Sequence, residues 1–361
     1  EIIKTALCLG VEARGITDDI AIAAYLIDPA RSEYSIKTVG GAYLTQEYAQ
    51  ECKTVAELVP VLRAKLAEHE QIKLYEEMEL PLARTLAKME LAGIKPDAAL
   101  LDKLTKEMAA QIAALEILAG ENFNLKSTKQ LGAILFEKLG LPVIKKTKTG
   151  YSTDVSVLEQ LRNEHPLVRT ILEHRKLTKL HSTYLEGLRP LINTVTGRIH
   201  THFQQLVTVT GRLSSTDPNL QNIPTRTELG KKIREIFVPG EGYDYLLSCD
   251  YSQVELRVLA HIAQDELLLE SFLHGQDVHA RTAAEVFGVP LDEVTGTMRT
   301  RAKAVNFGIV YGISDFGLAK QLDINRGEAG RYIENYLGRY TGVKKYMDDM
   351  VASAKKQGYV Q

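Results

Sequence analysis

The segment 298–312 constrains the fold of this chain more than any other part of the sequence. It reads Met-Arg-Thr-Arg-Ala-Lys-Ala-Val-Asn-Phe-Gly-Ile-Val-Tyr-Gly. Four of its side chains recur at four-residue intervals: Arg299, Lys303, Phe307 and Tyr311. Because four residues advance an α-helix by only about 40°, these side chains share one face about 120° wide. Val305 and Ile309 then fall on the far flank, so the spacing predicts an amphipathic helix.

The predicted face combines two cations with two aromatic rings. Arg and Lys hold polyphosphates, and a flat ring one or two turns further along can stack on a base. Together these groups describe a site for a nucleoside triphosphate. From this segment alone an alternative stays open, in which the helix lies at the surface and its aromatic side chains pack on a neighbouring element.

Length and composition place the chain among ordinary globular proteins. A chain of 361 residues with 45% hydrophobic residues predicts two or three domains with sizeable cores. Its three cysteines show no paired or metal-ligand spacing, which favours a reducing, cytoplasmic location. The sequence contains no run of about 18 apolar residues, so no membrane span is predicted. The sequence starts at Glu1 and stops at Gln361 after Gly-Tyr-Val, and we expect it to be a piece of a larger protein.

Charge is unevenly distributed along the chain. The net charge of −2 argues against an extended coat of nucleic acid. Residues 125–150, however, carry six lysines against the single acid Glu137, a local balance of +5. The lysines are Lys126, Lys129, Lys138, Lys145, Lys146 and Lys148. We expect them to contact DNA phosphates, and the alternative is a solvated loop and helix face.

Periodicity predicts a mostly helical chain with a short strand region in the middle. Helical spacing occupies the segments 17–26, 55–68, 74–119, 128–139, 155–163 and 166–191, and everything after Val254. Asp97 is expected to cap a helix after the break at 93–97. Strands are predicted at 197–203 and at 246–249. The stretch 210–224 is polar and almost aperiodic, and we expect it to stay out of any core.

Asp250 follows the predicted strand 246–249 and precedes a predicted helix. A carboxylate at a strand end is held rigidly, faces solvent and suits Mg²⁺ with bound phosphates. Asp250 alone could equally be a turn or cap residue. Ser252 and Glu255 fit a Ser-x-x-Glu capping box, which offers a structural role for Glu255.

The polar stretch 210–224 is rich in Arg, Asn and Gln. These donors suit the acceptors that every base pair presents in the minor groove, which would allow contact with a duplex of any sequence. The alternative is a long structured loop, which is uncommon without a function.

Three segments, 210–224, 250–257 and 299–312, resemble in order and spacing the consecutive motifs of the family A DNA polymerases, of the bacterial DNA polymerase I type. The resemblance runs from about Leu74 to Gln361 and is weaker before. It implies an α+β right-hand polymerase fold. The implied domains are an inactive tail of a 3′–5′ exonuclease-like domain at 1–73, a helical thumb at 74–195, the first part of an antiparallel-sheet palm at 196–262, and truncated helical fingers at 263–361.

The resemblance also implies an activity, template-directed addition of deoxynucleotides to a primer end in DNA replication and repair. The implied partners are primer–template duplex DNA and deoxynucleoside triphosphates, the cofactor is a pair of Mg²⁺ ions, and the protein is expected to be a monomer associated with the bacterial nucleoid.

Individual roles follow from the same resemblance. Asp250 and the carbonyl of Tyr251 would hold the metals, and Lys303, Arg299 and His279 would grip the triphosphate. Phe307 would stack on the nucleotide, Glu255 would crowd the sugar 2′ position, and Tyr311 would pack near Glu255 and the templating base. Gln253 belongs to the same nucleotide-binding motif. The residues implied in DNA binding are Arg212, Asn219, Gln221, Asn222, Arg226, Lys126, Lys145, Lys146 and Lys148. For His279 a structural role at a helix start stays open.

The sequence departs from the family pattern in two places. Where many members carry two adjacent arginines, this chain reads Arg299-Thr300-Arg301, which could lose or move one contact. No His-Asp-Glu motif with the second catalytic carboxylate occurs in the 361 residues. Since one carboxylate holds two metals poorly, we expect the chain alone to extend primers poorly or not at all, while the parent protein is active.

Two alternatives to polymerisation on DNA stay open, a non-enzymatic duplex-binding module derived from this fold and an RNA-templated enzyme. Residues 1–73 contain neither Asp-x-Glu nor Tyr-x-x-x-Asp, so no proofreading is expected. The run Tyr346-Met347-Asp348-Asp349 spells a reverse-transcriptase metal motif, but its flanks have helical spacing and predict an exposed helical turn.

Overall fold

The computed structural model describes residues 2–46, 49–119, 123–148, 150–225 and 227–358. The chain divides into two compact units, residues 1–246 and 247–361. The division falls inside the segment 196–262 that was assigned to the palm. Among the described residues, no helix is both long and apolar enough to cross a membrane.

The first unit is mostly helical. Several of its helices begin at side-chain caps, such as Asp19 before α2, Ser127 before α8 and Thr227 before α11. The α-helices are α1 Ile2–Cys8, α2 Ile20–Ile27, α3 Ile36–Tyr43, α4 Glu51–Glu68, α5 Ile72–Leu74, α6 Leu80–Ala92, α7 Ala98–Leu118, α8 Thr128–Gly132, α9 Val155–Gln160, α10 Pro166–Leu180 and α11 Glu228–Arg234. Wider π-helical turns occupy Tyr75–Glu79, Ala133–Lys138 and His181–Glu186, and a 3-10 turn occupies Arg189–Leu191. The predicted cap Asp97 is confirmed, because its carboxylate accepts hydrogen bonds from the amides of Ala99 and Leu100.

Three short antiparallel pairs supply the strands among the described residues. β1 Lys95–Pro96 pairs with β6 Phe237–Val238, β2 Lys146–Thr147 with β3 Gly150–Tyr151, and β4 His202–Gln204 with β5 Ser214–Thr216. β4 overlaps the strand predicted at 197–203, and Ile199 forms further bridges to Ile94 and Ile192. Helices with small antiparallel sheets confirm the α+β class.

The described residues of the first unit form three hydrophobic clusters, each built around a few helices. One joins α2, α3 and α4 to Tyr75, a second joins α7 and the end of α10 to Ile223, Ile233 and Ile236, and a third joins the region of α8 to α9 and α10. The second cluster fixes the polar stretch 210–224 at its carboxyl end, because Ile223 is buried in it.

The second unit is mostly helical over its described residues 254–358, as predicted from Val254 onward. Its helices are α12 Val254–Ala263, α13 Glu266–Leu273, α14 Val278–Phe287, α15 Gly296–Val310, α16 Asp315–Leu322, α17 Arg326–Arg339 and α18 Thr341–Gln357, with a 3-10 turn at Leu291–Glu293. They enclose one core that includes Leu256, Val305, Ile309 and Tyr336. Tyr346-Met347-Asp348-Asp349 lies within α18, so the predicted helical turn is confirmed.

One buried carboxylate links two helices of this unit. Asp265 is 3% exposed. Its Oδ1 accepts a hydrogen bond from the Leu268 amide at 3.1 Å, and its Oδ2 accepts one from the Gly342 amide at 2.9 Å. One side chain therefore caps the amino ends of both α13 and α18, where helix amides otherwise lack partners.

Three local predictions were wrong. Residues 246–249 form no strand, because no described strand pairs with this segment. Leu247 is accordingly 89% exposed. The capping box fails as well, since α12 begins after Gln253 and its amino end has no side-chain cap hydrogen bond. The stretch 210–224 is not wholly outside the core, because Ser215 and Ile223 are buried.

Candidate active site

Helix α15 carries the first part of the candidate site. Thr295 caps it by accepting a hydrogen bond from the Met298 amide at 3.2 Å. Val305 and Ile309 are buried, as their spacing predicts, whereas Arg299 and Lys303 are exposed on the opposite side. The predicted amphipathic helix is therefore confirmed, and its cationic side faces solvent.

The carboxyl end of α15 is shaped by a close turn. A Cβ on Gly308 would lie 2.7 Å from Cγ2 of Ile313, and the Ile313 amide donates to the Gly308 carbonyl at 2.8 Å. Gly312 provides the positive φ of 68° that lets the chain reverse. Tyr311 ends the helix as its C-cap residue and remains 61% exposed, so its ring projects from the end of the cationic face.

Helix α14 is joined to α15 through Asp277. Its Oδ1 accepts hydrogen bonds from the amides of His279 and Ala280 at 3.0 and 3.1 Å and thereby caps α14. Its Oδ2 accepts a hydrogen bond from Nε of Arg299 at 2.6 Å. Partial burial acts to raise the pKa of Asp277, but the hydrogen bonds from Arg299 and from the helix amides outweigh it and leave this pKa below its usual value.

His279 lies at the start of α14 and is only 3% exposed. Its Nδ1 lies 3.0 Å from the amide nitrogen of Asn306 on α15. Burial lowers its pKa; the charge of Asp277 opposes that shift, while those of Arg299 and Lys303 add to it. The lowered pKa of His279 favours the neutral form of the ring. The alternative was a structural histidine at a helix start, hydrogen-bonded to a neighbour. The contact between Nδ1 and Asn306 agrees with that alternative for this one ring nitrogen.

Phe307 lies beside both His279 and Lys303. Its ring centroid is 5.9 Å from that of His279, with an angle of 45° between the planes, and 5.9 Å from Nζ of Lys303. The Phe307 ring is half-buried and has a cation and an imidazole as neighbours.

Glu255 and Tyr311 are brought together, as predicted. The Tyr311 hydroxyl donates a hydrogen bond to Glu255 Oε1, which links the start of α12 to the end of α15. Arg257, one turn nearby, donates from Nε to the Ser252 carbonyl at 2.9 Å and stacks its guanidinium 4.5 Å from the Phe272 ring centroid. These two contacts hold the approach to α12 in place.

Asp250 and Tyr251 lie on the exposed segment before α12. The Tyr251 amide donates to Asp250 Oδ1 at 2.9 Å, and no described hydrogen bond or ion pair joins either residue to the α14–α15 face. One carboxylate and one carbonyl suit a Mg²⁺ ion that takes its other ligands from substrate phosphates and water. The described residues contain no group of three or more His, Cys, Asp or Glu that could hold a metal by themselves.

Arg301 stands one position after the place where many family members carry their second arginine, and its side chain does not join Arg299. Arg301 Nη1 lies 4.0 Å from Glu328 Oε1 on α17, away from the face that carries Arg299. Arg301 therefore takes part in a contact between helices α15 and α17. Thr300 occupies the exposed position beside Arg299, and its hydroxyl donates to the Gly296 carbonyl at 2.9 Å.

In the first unit, the polar stretch 210–224 is built on a buried hydrogen-bond cluster. Thr201 Oγ1 lies 2.7 Å from Ser215 Oγ and donates to the Pro218 carbonyl, and Ser215 Oγ accepts from the Leu220 amide at 3.2 Å. The hydroxyl of Tyr184, on the π-helical turn after α10, donates to the Asn222 carbonyl. These bonds hold the backbone so that its polar side chains face outward.

The four described residues predicted to bind DNA in this stretch are all exposed: Arg212, Asn219, Gln221 and Asn222. Asn219 accepts from the Gln221 amide at 3.0 Å, and Gln221 Nε2 donates to the Leu213 carbonyl at 3.2 Å. Arg226 lies outside the described residues.

The predicted lysine patch lies on and near the β2–β3 hairpin. Lys126, Lys145, Lys146 and Lys148 are all exposed. Lys145 Nζ lies 3.7 Å from Asp154, and Lys146 Nζ lies 5.7 Å from the ring centroid of Tyr151. Exposed pairs of this kind are weak and leave both lysines available to phosphates.

Sequence reasoning missed a second cationic surface, on α9 and α10. A groove of about 450 Å³ is lined by five basic residues, Arg162, Arg169, Arg175, Lys176 and Lys179, against the acids Glu159 and Glu173. Arg175 is held by the carbonyl and hydroxyl of Thr153. The seven-residue spacing of 162, 169 and 176 was a visible signal, but a groove needs the neighbouring turn as well as the helix face.

Comparison with known proteins gives a consistent result. The model of the family described as DNA polymerase family A matches residues 97–361. DNA polymerase I of Geobacillus stearothermophilus is 47% identical over 380 residues, which cover 97% of this chain and 43% of that protein. DNA polymerase I of Lactococcus lactis subsp. lactis is 53% identical over 325 residues, covering 89% of this chain and 37% of that protein. The chain thus spans less than half the length of these curated relatives.

A solved structure is similar over almost the whole chain. It is described as the POL domain of Pol1 from M. smegmatis in complex with DNA primer-template and dNTP. The TM-score is 0.90 at 44% sequence identity, and the match covers 98% of this chain and 64% of that one.

Proposed function

The chain belongs to DNA polymerase family A, and we propose that the whole protein adds deoxynucleotides to a primer 3′ end as directed by a template strand. Support comes from two kinds of surface, an exposed face of cations and rings in residues 247–361 and exposed lysines and amides in residues 1–246. The M. smegmatis relative was solved with primer-template and dNTP, which are the ligands these two surfaces suit.

The α14–α15 face binds the incoming nucleotide in this proposal. Arg299 and Lys303 neutralise the triphosphate, and His279 donates a hydrogen bond to it. Phe307 and Tyr311 stack on the nucleotide and the templating base, while Glu255, held by Tyr311, fills the space that a ribose 2′-hydroxyl would need. Gln253 turns the chain into α12 and so sets the position of Glu255. Phosphoryl transfer needs charge neutralisation and positioning above all, which these groups provide.

Asp250 and the carbonyl of Tyr251 hold Mg²⁺ in this proposal. When bound, the ion lowers the charge on the phosphates and aligns the reacting oxygens. Two ions need more carboxylate than Asp250 alone supplies. The proposal of a two-metal site therefore assigns Asp250 as one of its anchors.

Duplex DNA is bound by the first unit. The side chains of Arg212, Asn219, Gln221 and Asn222, with Arg226, contact the grooves and backbone at the primer end. The hairpin lysines Lys145, Lys146 and Lys148, with Lys126, contact phosphates, and the α9–α10 groove extends this cationic surface. One monomer binds one primer–template in this account.

The domain assignment remains a proposal along the same lines. Residues 1–73 form the tail of an exonuclease-like domain without its catalytic carboxylates, 74–195 the thumb, 196–262 the first part of the palm and 263–361 part of the fingers. The proposed inactivity of the first segment is tested by incubating the protein with single-stranded DNA and Mg²⁺, which is expected to cause no shortening from the 3′ end.

The observation that carries the proposal is the shared exposed side of α15, where Arg299 and Lys303 lie beside His279 and Phe307. Primer extension by the whole protein with the Asp250→Ala substitution tests it. We expect synthesis to be lost while duplex affinity is retained. Unchanged synthesis would refute the role of Asp250, and a wild-type protein that binds duplex but never incorporates nucleotides would favour the non-enzymatic module.

Exchanging the DNA template for RNA of the same sequence is expected to reduce synthesis strongly, and preference for RNA would favour the RNA-templated enzyme.

A further inference from the structure

A series of buried polar side chains is hydrogen-bonded to His279 through its Nδ1 atom. Asn306 and Thr282 are fully buried, and Tyr340 is 1% exposed. Thr282 Oγ1 lies 3.2 Å from Asn306 Oδ1, 3.1 Å from Asn306 Nδ2 and 3.1 Å from the Tyr340 hydroxyl. Asn306 Nδ2 lies 3.0 Å from Nδ1 of His279. Buried polar groups are costly unless paired, so this series calls for an explanation beyond packing.

Counting donors and acceptors along this hydrogen-bonded series assigns a position to each side-chain hydrogen. The Asn306 amide nitrogen has two hydrogens and two neighbours, Nδ1 of His279 and the Thr282 hydroxyl. The Thr282 hydroxyl can then donate to Asn306 Oδ1 or to Tyr340. In this arrangement every buried donor has an acceptor. Nδ1 of His279 serves as an acceptor, so in a neutral ring the hydrogen is on Nε2.

Nε2 of His279 has no hydrogen-bond partner among the described residues, and it keeps a small contact with solvent although the residue is only 3% exposed. The charged groups that act on the ring are Asp277 from its own helix and Arg299 and Lys303 from α15. Phosphate oxygens only accept hydrogen bonds. Nε2–H would therefore attract a triphosphate, whereas a bare Nε2 lone pair would repel it.

We propose that Asn306 is a positioning residue that fixes His279 as the Nε2–H tautomer and thereby aims a hydrogen-bond donor at the triphosphate of the nucleotide. This inference rests on the proposed nucleotide-binding role of the α14–α15 face. Asn306 does not touch the nucleotide. Thr282 and Tyr340 in turn orient the Asn306 amide, since Thr282 bonds to both ends of it.

The tautomer is measured without any nucleotide. The chain contains nine histidines, so ¹⁵N-histidine labelling with long-range ¹H–¹⁵N correlation, and comparison with His279→Asn, assigns the ring of His279. We expect the neutral Nε2–H form in the wild type at pH 7. In Asn306→Leu, which has a similar volume but no donor, we expect a mixture of tautomers. A wild-type ring with the hydrogen on Nδ1 would overturn the inference whether or not the protein binds nucleotides.

Affinity for a deoxynucleoside triphosphate on primer–template then tests the consequence. We expect Asn306→Leu and His279→Ala each to weaken binding about tenfold to a hundredfold, the size of one lost hydrogen bond to a charged group. The double variant should bind no more weakly than His279→Ala alone, because Asn306 acts through His279. Additive losses, or an unchanged Asn306→Leu, would contradict the inference. If the wild type bound no nucleotide while the tautomer was as expected, the proposed function would fail and the tautomer assignment would stand.

Asn306→Asp keeps the test informative if the leucine variant does not fold. An ionised carboxylate at this position would hold a hydrogen on Nδ1, so His279 could present Nε2–H only as the doubly protonated cation. We expect nucleotide affinity in Asn306→Asp to fall as the pH rises through the imidazole pKa, whereas wild-type affinity changes little over the same range. Thr282→Ser, which keeps the hydroxyl that orients the Asn306 amide, is the matched control and should show the wild-type pH profile. The same flat profile in Asn306→Asp would overturn the inference.

Discussion

Asp277 Oδ2 lies 2.6 Å from Nε of Arg299, so the residue that caps α14 also holds the first cation of the α15 face. The bond uses Nε and leaves Nη1 and Nη2 of Arg299 without a partner among the described residues. A guanidinium held in this way presents its terminal fork outward, in the geometry that binds phosphate oxygens in pairs. Asp277 therefore orients Arg299 rather than simply neutralising it.

Removing the Asp277 carboxylate should weaken nucleotide binding. In Asp277→Ala, Arg299 loses its anchor and α14 its cap, and we expect about tenfold lower affinity for a deoxynucleoside triphosphate. Asp277→Asn retains a cap and a neutral acceptor, so its loss should be smaller. Titration of labelled nucleotide into the protein–DNA complex measures both. Tighter binding by Asp277→Ala would show that Asp277 competes with phosphate for Arg299.

Asp277 should also contribute to acid stability. Although burial opposes the shift, hydrogen bonds from Arg299 and the helix amides lower the pKa of the folded-state carboxyl group. A lowered pKa adds stability that is present above the unfolded-state pKa of about 3.9 and is lost as pH falls through the folded-state pKa. The unfolding midpoint of wild type minus that of Asp277→Asn should therefore shrink between about pH 5 and about pH 2. A constant difference would contradict this.

Glu255 should govern discrimination against ribonucleotides. Glu255→Ala opens the space beside the sugar, and we expect the preference for a deoxy- over a ribonucleoside triphosphate to fall about tenfold or more. Tyr311→Phe keeps the carboxylate but removes the hydroxyl that holds it, so the preference should fall less. Paired binding curves for the two sugars decide the matter. An unchanged preference in Glu255→Ala would place the sugar elsewhere.

The hairpin lysines should account for part of the salt dependence of duplex binding. Each lost phosphate contact reduces the slope of log K against log salt by about 0.9, so the triple variant Lys145→Ala, Lys146→Ala, Lys148→Ala should have a slope shallower by about 2 to 3. The control makes the same charge change at three exposed lysines of α18, namely Lys345, Lys355 and Lys356. Equal slopes for both triple variants would show that the hairpin makes no specific phosphate contacts.

Local patterns predicted those features that depend on local geometry. The four-residue spacing of 299–311 was sufficient to predict the exposed side of α15, because a helix turns by the same angle at every residue. Asp97 was recognised as a cap for the same reason, since a cap bonds to amides two and three residues away. The shared family motifs identified the candidate site residues.

Features that depend on distant neighbours were missed or predicted wrongly. The apolar run 246–249 looked like a strand, but a strand exists only beside another, and no described strand pairs with it. The bond from Gly342 to Asp265 and the bond between Asn306 and His279 have no distinguishing local pattern, since these partners are 77 and 27 residues apart in the sequence. The groove on α9 and α10 likewise depends on how two helices and the turn between them fold together.

Template-directed nucleotide binding by the 361-residue chain tests the central claim most directly. The measurement is the dissociation constant of each of the four deoxynucleoside triphosphates on complexes with primer–templates that differ only in the templating base, with Mg²⁺ and a primer that lacks its 3′-hydroxyl. We expect the complementary nucleotide to bind at least about tenfold more tightly on every template, and this preference to be lost in Lys303→Ala. Equal affinity for all four nucleotides on every template, or binding that does not depend on DNA, would contradict the account.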